Sequence, residues 1–174
     1  MYNPGIFRGP DGKRKFAHMA QDIFLTIVQA QASYARAIDS DDLESWPGYF
    51  TPDCVYKITT AANEARGYEL GVVYANSRGM LQDRVSALRE ANIYEKHSYR
   101  HIVGMPVITS DNGKDVRAET PFVVVRIMQD GAAALYASGI YRDCFRRDQD
   151  GVKIAERIVV CDSQRFDTLL ALPL

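Results

Sequence analysis

The feature that most constrains this chain is a change of period near residue 102. Before it, apolar residues recur at helical spacing. After it come four runs, 102–110, 116–129, 133–147 and 152–162, each long enough for a strand. Between the runs lie Asp111-Asn112-Gly113, Asp130-Gly131 and Asp148-Gln149-Asp150-Gly151, which is hairpin-turn chemistry. In the second run, Val116, Ala118, Thr120, Phe122, Val124 and Arg126 fall on one side. Arg117, Glu119, Val123, Val125 and Ile127 fall on the other. Helices followed by an antiparallel meander predict an α+β fold, with a strongly curved sheet wrapped against the helices to enclose a cone.

Three helices are expected ahead of the sheet. From Asp22, residues Ile23, Ile27, Ala30, Tyr34 and Ile38 share a face, and an acidic first turn suits the helix dipole. Leu43 to Phe50 predicts a second, short helix limited by Pro47, with Trp46, Tyr49 and Phe50 as core beneath it. Cys54 to Thr59 alternates as a short strand, and 61–71 reads as a loop. The third helix spans about Val72 to Ala91, and a polar connection carrying His97 and His101 then hands the chain to the sheet. Residues 1–18, with two prolines, three glycines and Lys13-Arg14-Lys15, read as a flexible arm; 19–174 reads as one domain.

Composition excludes several classes. A net charge of −1 gives no general basic face for nucleic acid or anionic membrane. No apolar run approaches the roughly 18 residues of a span, and no secretory hydrophobic region follows the basic patch, so a cytoplasmic protein is expected. Cys54, Cys144 and Cys161 are odd in number and widely spaced, and read as reduced core thiols. His97 and His101 have metal-ligand spacing only if they share a helix; a hydrogen-bonded structural role is the stronger reading. His101 paired with Asp83 or Asp162 is the candidate acid–base pair of a free-standing dehydratase or isomerase.

Several segments, taken in order, resemble one family. They are Tyr34-Ala35-Arg36 with Asp39, Trp46-Pro47 with Phe50, Cys54-Val55-Tyr56, and Met80 to Val85. Tyr99 to Gly104, Ser138 to Asp143, Ala155 to Ser163 and Ala171 to Leu174 complete the set. This order resembles the cone fold shared by nuclear transport factor 2, scytalone dehydratase and ketosteroid isomerase. Within it, residues 20–174 resemble the small (β) subunit of aromatic-ring-hydroxylating dioxygenases. The likeness is greatest to terephthalate dioxygenase small subunits, with those of salicylate hydroxylases next.

The resemblance implies a noncatalytic structural subunit. Its partner large (α) subunit would hold a Rieske 2Fe-2S cluster and a mononuclear Fe(II), with none in this chain. The assembly would be an α3β3 mushroom, with three copies of this chain forming the stem that braces the large subunits. Asp83, Arg84, Arg100, His101 and Asp162 are the structural or interface candidates, with Arg100 and His101 tied to Asp83, to Asp162 or to a neighbouring subunit.

Overall fold

The computed structural model describes residues 10–68, 71–91, 97–164, 170 and 172–174; for residues 10–21 and 91 the backbone alone is described. The elements run α1 (Pro10–Asp39), a 3-10 turn (Trp46–Tyr49), β1 (Phe50–Thr60), α2 (Ala61–Ala65), β2 (Val73–Ala75) and α3 (Arg78–Ala91). Then come β3 (His97–Val103), β4 (Val107–Asp111), β5 (Asp115–Met128), β6 (Ala133–Asp148) and β7 (Gly151–Cys161). Helices pack on one curved, mostly antiparallel sheet of order β2-β1-β7-β6-β5-β3, with β4 also paired to β5. The β1–β7 pairing alone is parallel. The α+β expectation therefore holds. No helix among the described residues is long and apolar enough to cross a membrane.

Helix α1 begins twelve residues before Asp22. Residues 10–18 of the expected arm are helical backbone, and residues 1–9 lie outside the described residues. Proline at the first helical position has its φ already set and forfeits an N–H that would be orphaned there. At 30 residues the helix is about 45 Å long. Its buried stripe is Ile23, Ile27, Gln31, Tyr34 and Ile38, so a glutamine holds the place expected for Ala30.

The other helical boundaries also move. Pro47 limits the expected second helix to a 3-10 turn. Inside the expected loop, Thr60 caps α2 by accepting from the Asn63 N–H. The third helix starts at Arg78, because Val73-Tyr74-Ala75 pairs with Ile58-Lys57-Tyr56 of β1 as a strand. Arg89 in its last turn reaches the α1 exit, bonding Glu44 and both the side chain and carbonyl of Asp41.

The sheet follows the expected turns. Gly113, Gly131 and Gly151 adopt positive φ, and the Asn112 carboxamide accepts from the N–H groups of Lys114 and Asp115. On β5, Val116, Ala118, Thr120, Phe122 and Val124 are buried, as alternation predicts. The expected strand 102–110 is instead two strands on one edge of β5. Pro121 has no N–H, and its carbonyl faces this edge, where the Gly104 N–H donates to it. The ladder is therefore interrupted between β3 and β4. Gly104 fits there because a Cβ would press on the Pro121 ring.

Two outcomes test this account. Gly139 lies where β6 crosses close to the Val160 carbonyl, leaving no room for a Cβ. Gly139→Ala should lower stability by about 1–3 kcal/mol, read as a lower urea midpoint at unchanged slope. The Arg89 hydrogen bonds lower the Glu44 carboxyl from 4.5 to about 2. A depressed carboxyl contributes stability above its unfolded value that is lost as pH falls through its folded one. Both side chains being solvated, Arg89→Ala should cost less than about 1 kcal/mol at pH 7. In urea titrations that difference should shrink between pH 4.5 and 2.

Candidate functional site

The interior of the cone is organised by a cross-strand pair. Asp143 on β6 and Arg157 on β7 stand directly opposite in the antiparallel register, both pointing inward. Arg157 Nε and Nη2 donate to Asp143 Oδ1 and Oδ2 at 2.8 and 2.7 Å, a bidentate pair with both side chains fully enclosed. The guanidinium lies between two rings, 4.2 Å from the centroids of Tyr34 on α1 and Tyr141 on β6. Gln31 Nε2 donates to Thr120 Oγ1 at 2.8 Å and to Asp143 Oδ2 at 3.3 Å. Burial raises the Asp143 carboxyl against the pull of Arg157. Removing one partner alone would leave a buried charge uncompensated, at about 3–5 kcal/mol.

Around this pair lies an aromatic shell. Phe122 stacks on Tyr141 at 4.3 Å, and Trp46, Phe50 and Tyr56 meet edge to face. Leu170, Leu172, Pro173 and Leu174 are buried with them. The Tyr34 and Tyr56 hydroxyls donate to the Leu174 main-chain oxygen at 2.7 and 3.1 Å. Burial raises both phenols, so they remain protonated donors.

His101 and Arg100 meet a different acid from those expected. The stretch read as a polar connection is, from His97, strand β3. His101 faces inward onto the end of α1. Its Nδ1 lies 2.6 Å from Asp39 Oδ1, and its backbone N–H reaches both Asp39 oxygens at 3.1 and 3.0 Å. Arg100, turned outward, touches Asp39 Oδ2 at 3.5 Å. An aspartate closing a helix is unfavourable to the helix dipole; here its long-range donors offset that cost. That misplaced charge was the available sequence signal.

The other expected partners lie elsewhere. Asp83 is on the exposed face of α3, and Asp162 accepts from Ser138 Oγ at 2.8 Å on the outer side of the sheet. Arg84 turns inward and donates through Nη2 to the Leu170 carbonyl. The acid–base pairing of His101 with Asp83 or Asp162 is thus not formed.

A shared strand, not a helix, holds His97 and His101, so four residues separate them by about 13 Å. That is too far for a joint metal site. Among the described residues no three His, Cys, Asp or Glu side chains gather to hold a metal ion. The described cysteines are buried, and Cys161 is pushed by burial up to about 12. The described donors therefore do not fit a Rieske cluster or a mononuclear iron. Sequence reasoning also missed Arg157 and Asp143 as interior residues. Alternation put Arg157 on the face opposite Ile158 and Val160, and nothing local marks that face as the buried one.

The Asp39 junction is testable. Asp39→Ala strips three hydrogen bonds from an enclosed histidine and should cost on the order of 3 kcal/mol. Asp83→Ala on the exposed face of α3 should stay within about 0.5 kcal/mol. Equal effects in urea denaturation would refute this placement.

Comparison with known proteins places this geometry. A family model described as a SnoaL-like domain matches residues 24–158. The chain is 50% identical over 150 residues to the beta 1 subunit of the terephthalate 1,2-dioxygenase terminal oxygenase component of Comamonas sp, covering 86% of this chain and 97% of that protein. It is 38% identical over 148 residues to the anthranilate 1,2-dioxygenase small subunit of Burkholderia cepacia, covering 85% and 92%. Among solved structures, one described as the beta subunit of an aromatic-ring-hydroxylating dioxygenase from Novosphingobium aromaticivorans superposes with a TM-score of 0.83 at 38% identity, covering 90% of this chain and 99% of that one. The chain belongs to the SnoaL-like family and, within it, to the small (beta) subunits of aromatic-ring-hydroxylating dioxygenases.

Proposed function

We propose that this chain is the noncatalytic, structural subunit of a terminal oxygenase that dihydroxylates an aromatic acid, terephthalate-like or salicylate-like. The large subunit would carry the Rieske cluster and the iron, and three copies of this chain would form the stem of an α3β3 complex. Identity of 50% across nearly the whole of a terephthalate dioxygenase beta subunit supports the substrate class.

The observation that carries the noncatalytic role is the state of the interior. Several of the groups a cone enzyme would use are paired with one another, while His101 Nε2, Tyr141 Oη and Arg157 Nη1 are buried without a hydrogen-bond partner among the described residues. Asp143 is held by Arg157 and Gln31, His101 by Asp39, and Tyr34 and Tyr56 by Leu174. What remains outward is a surface suited to assembly. Ile102, Met105, Val107 and Leu135 are more than half exposed, and Ile140 about a third. Register brings these residues together on the outer side of β3–β5–β6. Ile102 pairs with Val123 and Val123 with Ser138, while Pro121 pairs with Ile140. Arg100 and Asp162 border this outer side as candidate interface charges, Asp83 is a candidate on the exposed face of α3, and Arg84 and His101 act within the subunit.

The test is co-expression with a cognate large subunit. Purified alone, this chain should carry no iron, turn over no aromatic acid, and scatter light as a trimer. With the large subunit it should elute as one complex that oxidises terephthalate. Arg100→Ala should lower the yield of complex while each assembled complex keeps its activity. A fully assembled, iron-replete Arg100→Ala complex that is inactive would instead place this strand in the chemistry.

A further inference from the structure

Leu170, Leu172, Pro173 and Leu174 stand to the cone interior as a ligand stands to its pocket. These described residues of the segment 170–174 are buried among side chains from α1, the 3-10 turn, β1 and α3. Main-chain atoms at its two ends are met by named side chains. The Leu170 carbonyl is taken by Arg84. At Leu174, one oxygen receives two hydroxyls, from Tyr34 and Tyr56, and the N–H donates back to Tyr56. Two convergent phenols on one oxygen are what a site for a carbonyl or carboxylate requires.

The walls are fixed independently of the segment. Tyr34 is clamped against Arg157, itself locked to Asp143, and the Tyr56 ring is held edge-on by Trp46 and Phe50. The donors and the apolar shell are therefore set by elements that pair without residues 170–174.

We propose that the cone interior is a preformed binding site for a branched apolar acyl group or short apolar peptide bearing an oxygen acceptor, and that Leu170, Leu172, Pro173 and Leu174 are its built-in occupant. The site holds this occupant in cis, which closes the cone to other molecules. This inference concerns the interior alone and stands apart from the proposed oxygenase role.

The test shortens the chain after Leu169 and titrates it with the synthetic peptide Leu-Ala-Leu-Pro-Leu, with N-acetylleucine as a minimal probe. Binding is read by calorimetry and melting temperature. The shortened chain should bind the pentapeptide and melt higher with it, and the intact chain should bind none. A peptide with Asp replacing its last leucine should not bind. Tyr34→Phe with Tyr56→Phe in the shortened chain should weaken binding by on the order of a hundredfold, as expected for the loss of three hydrogen bonds. If the shortened chain is folded and takes no peptide, or the intact chain takes it equally, the proposal is overturned. If the shortened chain does not fold alone, refolding decides. Recovery of the folded signal with the pentapeptide but not with its Asp variant supports the site, and no recovery overturns it. The intact chain carrying Leu172→Ala and Leu174→Ala gives a second reading. Its main-chain oxygen at position 174 stays on the Tyr34 and Tyr56 hydroxyls, so it should gain binding of a purely apolar probe, benzene, that the parent lacks, and failure to gain it counts against the site.

Discussion

An arginine held between two tyrosines and locked to an aspartate is the constraint on which this structure depends. Arg157 joins three elements at one point: β7 carries it, β6 supplies Asp143 and Tyr141, and α1 supplies Tyr34 and Gln31. A buried pair of this kind is weak evidence for net stability, because desolvation of both charges opposes their attraction. Its effect is on specificity. A slip of one residue between β6 and β7 would turn Arg157 to the outer face and leave Asp143 enclosed alone. The pair thereby fixes the register of the hairpin and the seat of α1 upon it. Tyr34, placed by this clamp, in turn receives Leu174.

The position of Asp39 extends the same logic. It terminates α1 with a charge of the wrong sign for a helix end, and that charge is met by β3, 62 residues further on. The helix is thus tied to the sheet within its last third by Gln31 and Tyr34, and at its end by Asp39. Together these explain how the aromatic shell stays closed around the buried residues Leu170, Leu172, Pro173 and Leu174 while the outer side of β3–β5–β6 keeps its apolar residues exposed.

The sheet was legible where local chemistry determined it. Turns at Asn112-Gly113 and Asp130-Gly131, and the alternation of β5 from Val116 to Val124, depend on neighbours in sequence. The family was legible because short segments kept their order and spacing. What escaped notice depends on distant neighbours. Val73 to Ala75 is a strand because Tyr56 to Ile58 lies beside it, although the same residues continue a helical pattern into α3. The break at Gly104 is imposed by the absent N–H of Pro121 across the sheet. The partner of His101 is Asp39, not Asp83 or Asp162, since the inward turn of β3 is set by its pairing with β5. Arg157 reads as a surface residue until the sheet curves around it.

The parallel pairing of β1 with β7 has a consequence for how the protein is made. Val55 to Thr60 lies beside Glu156 to Cys161, about a hundred residues away along the chain. Such a contact closes a very long loop and forms late. On a ribosome, β1 would wait exposed, flanked by the apolar faces of α1 and α3, until nearly all of the chain had emerged. Only then could the cone close and the outer surface take its final shape. A partner that reads this outer surface would meet finished subunits and not nascent ones, so the order of synthesis and assembly follows from one strand pairing.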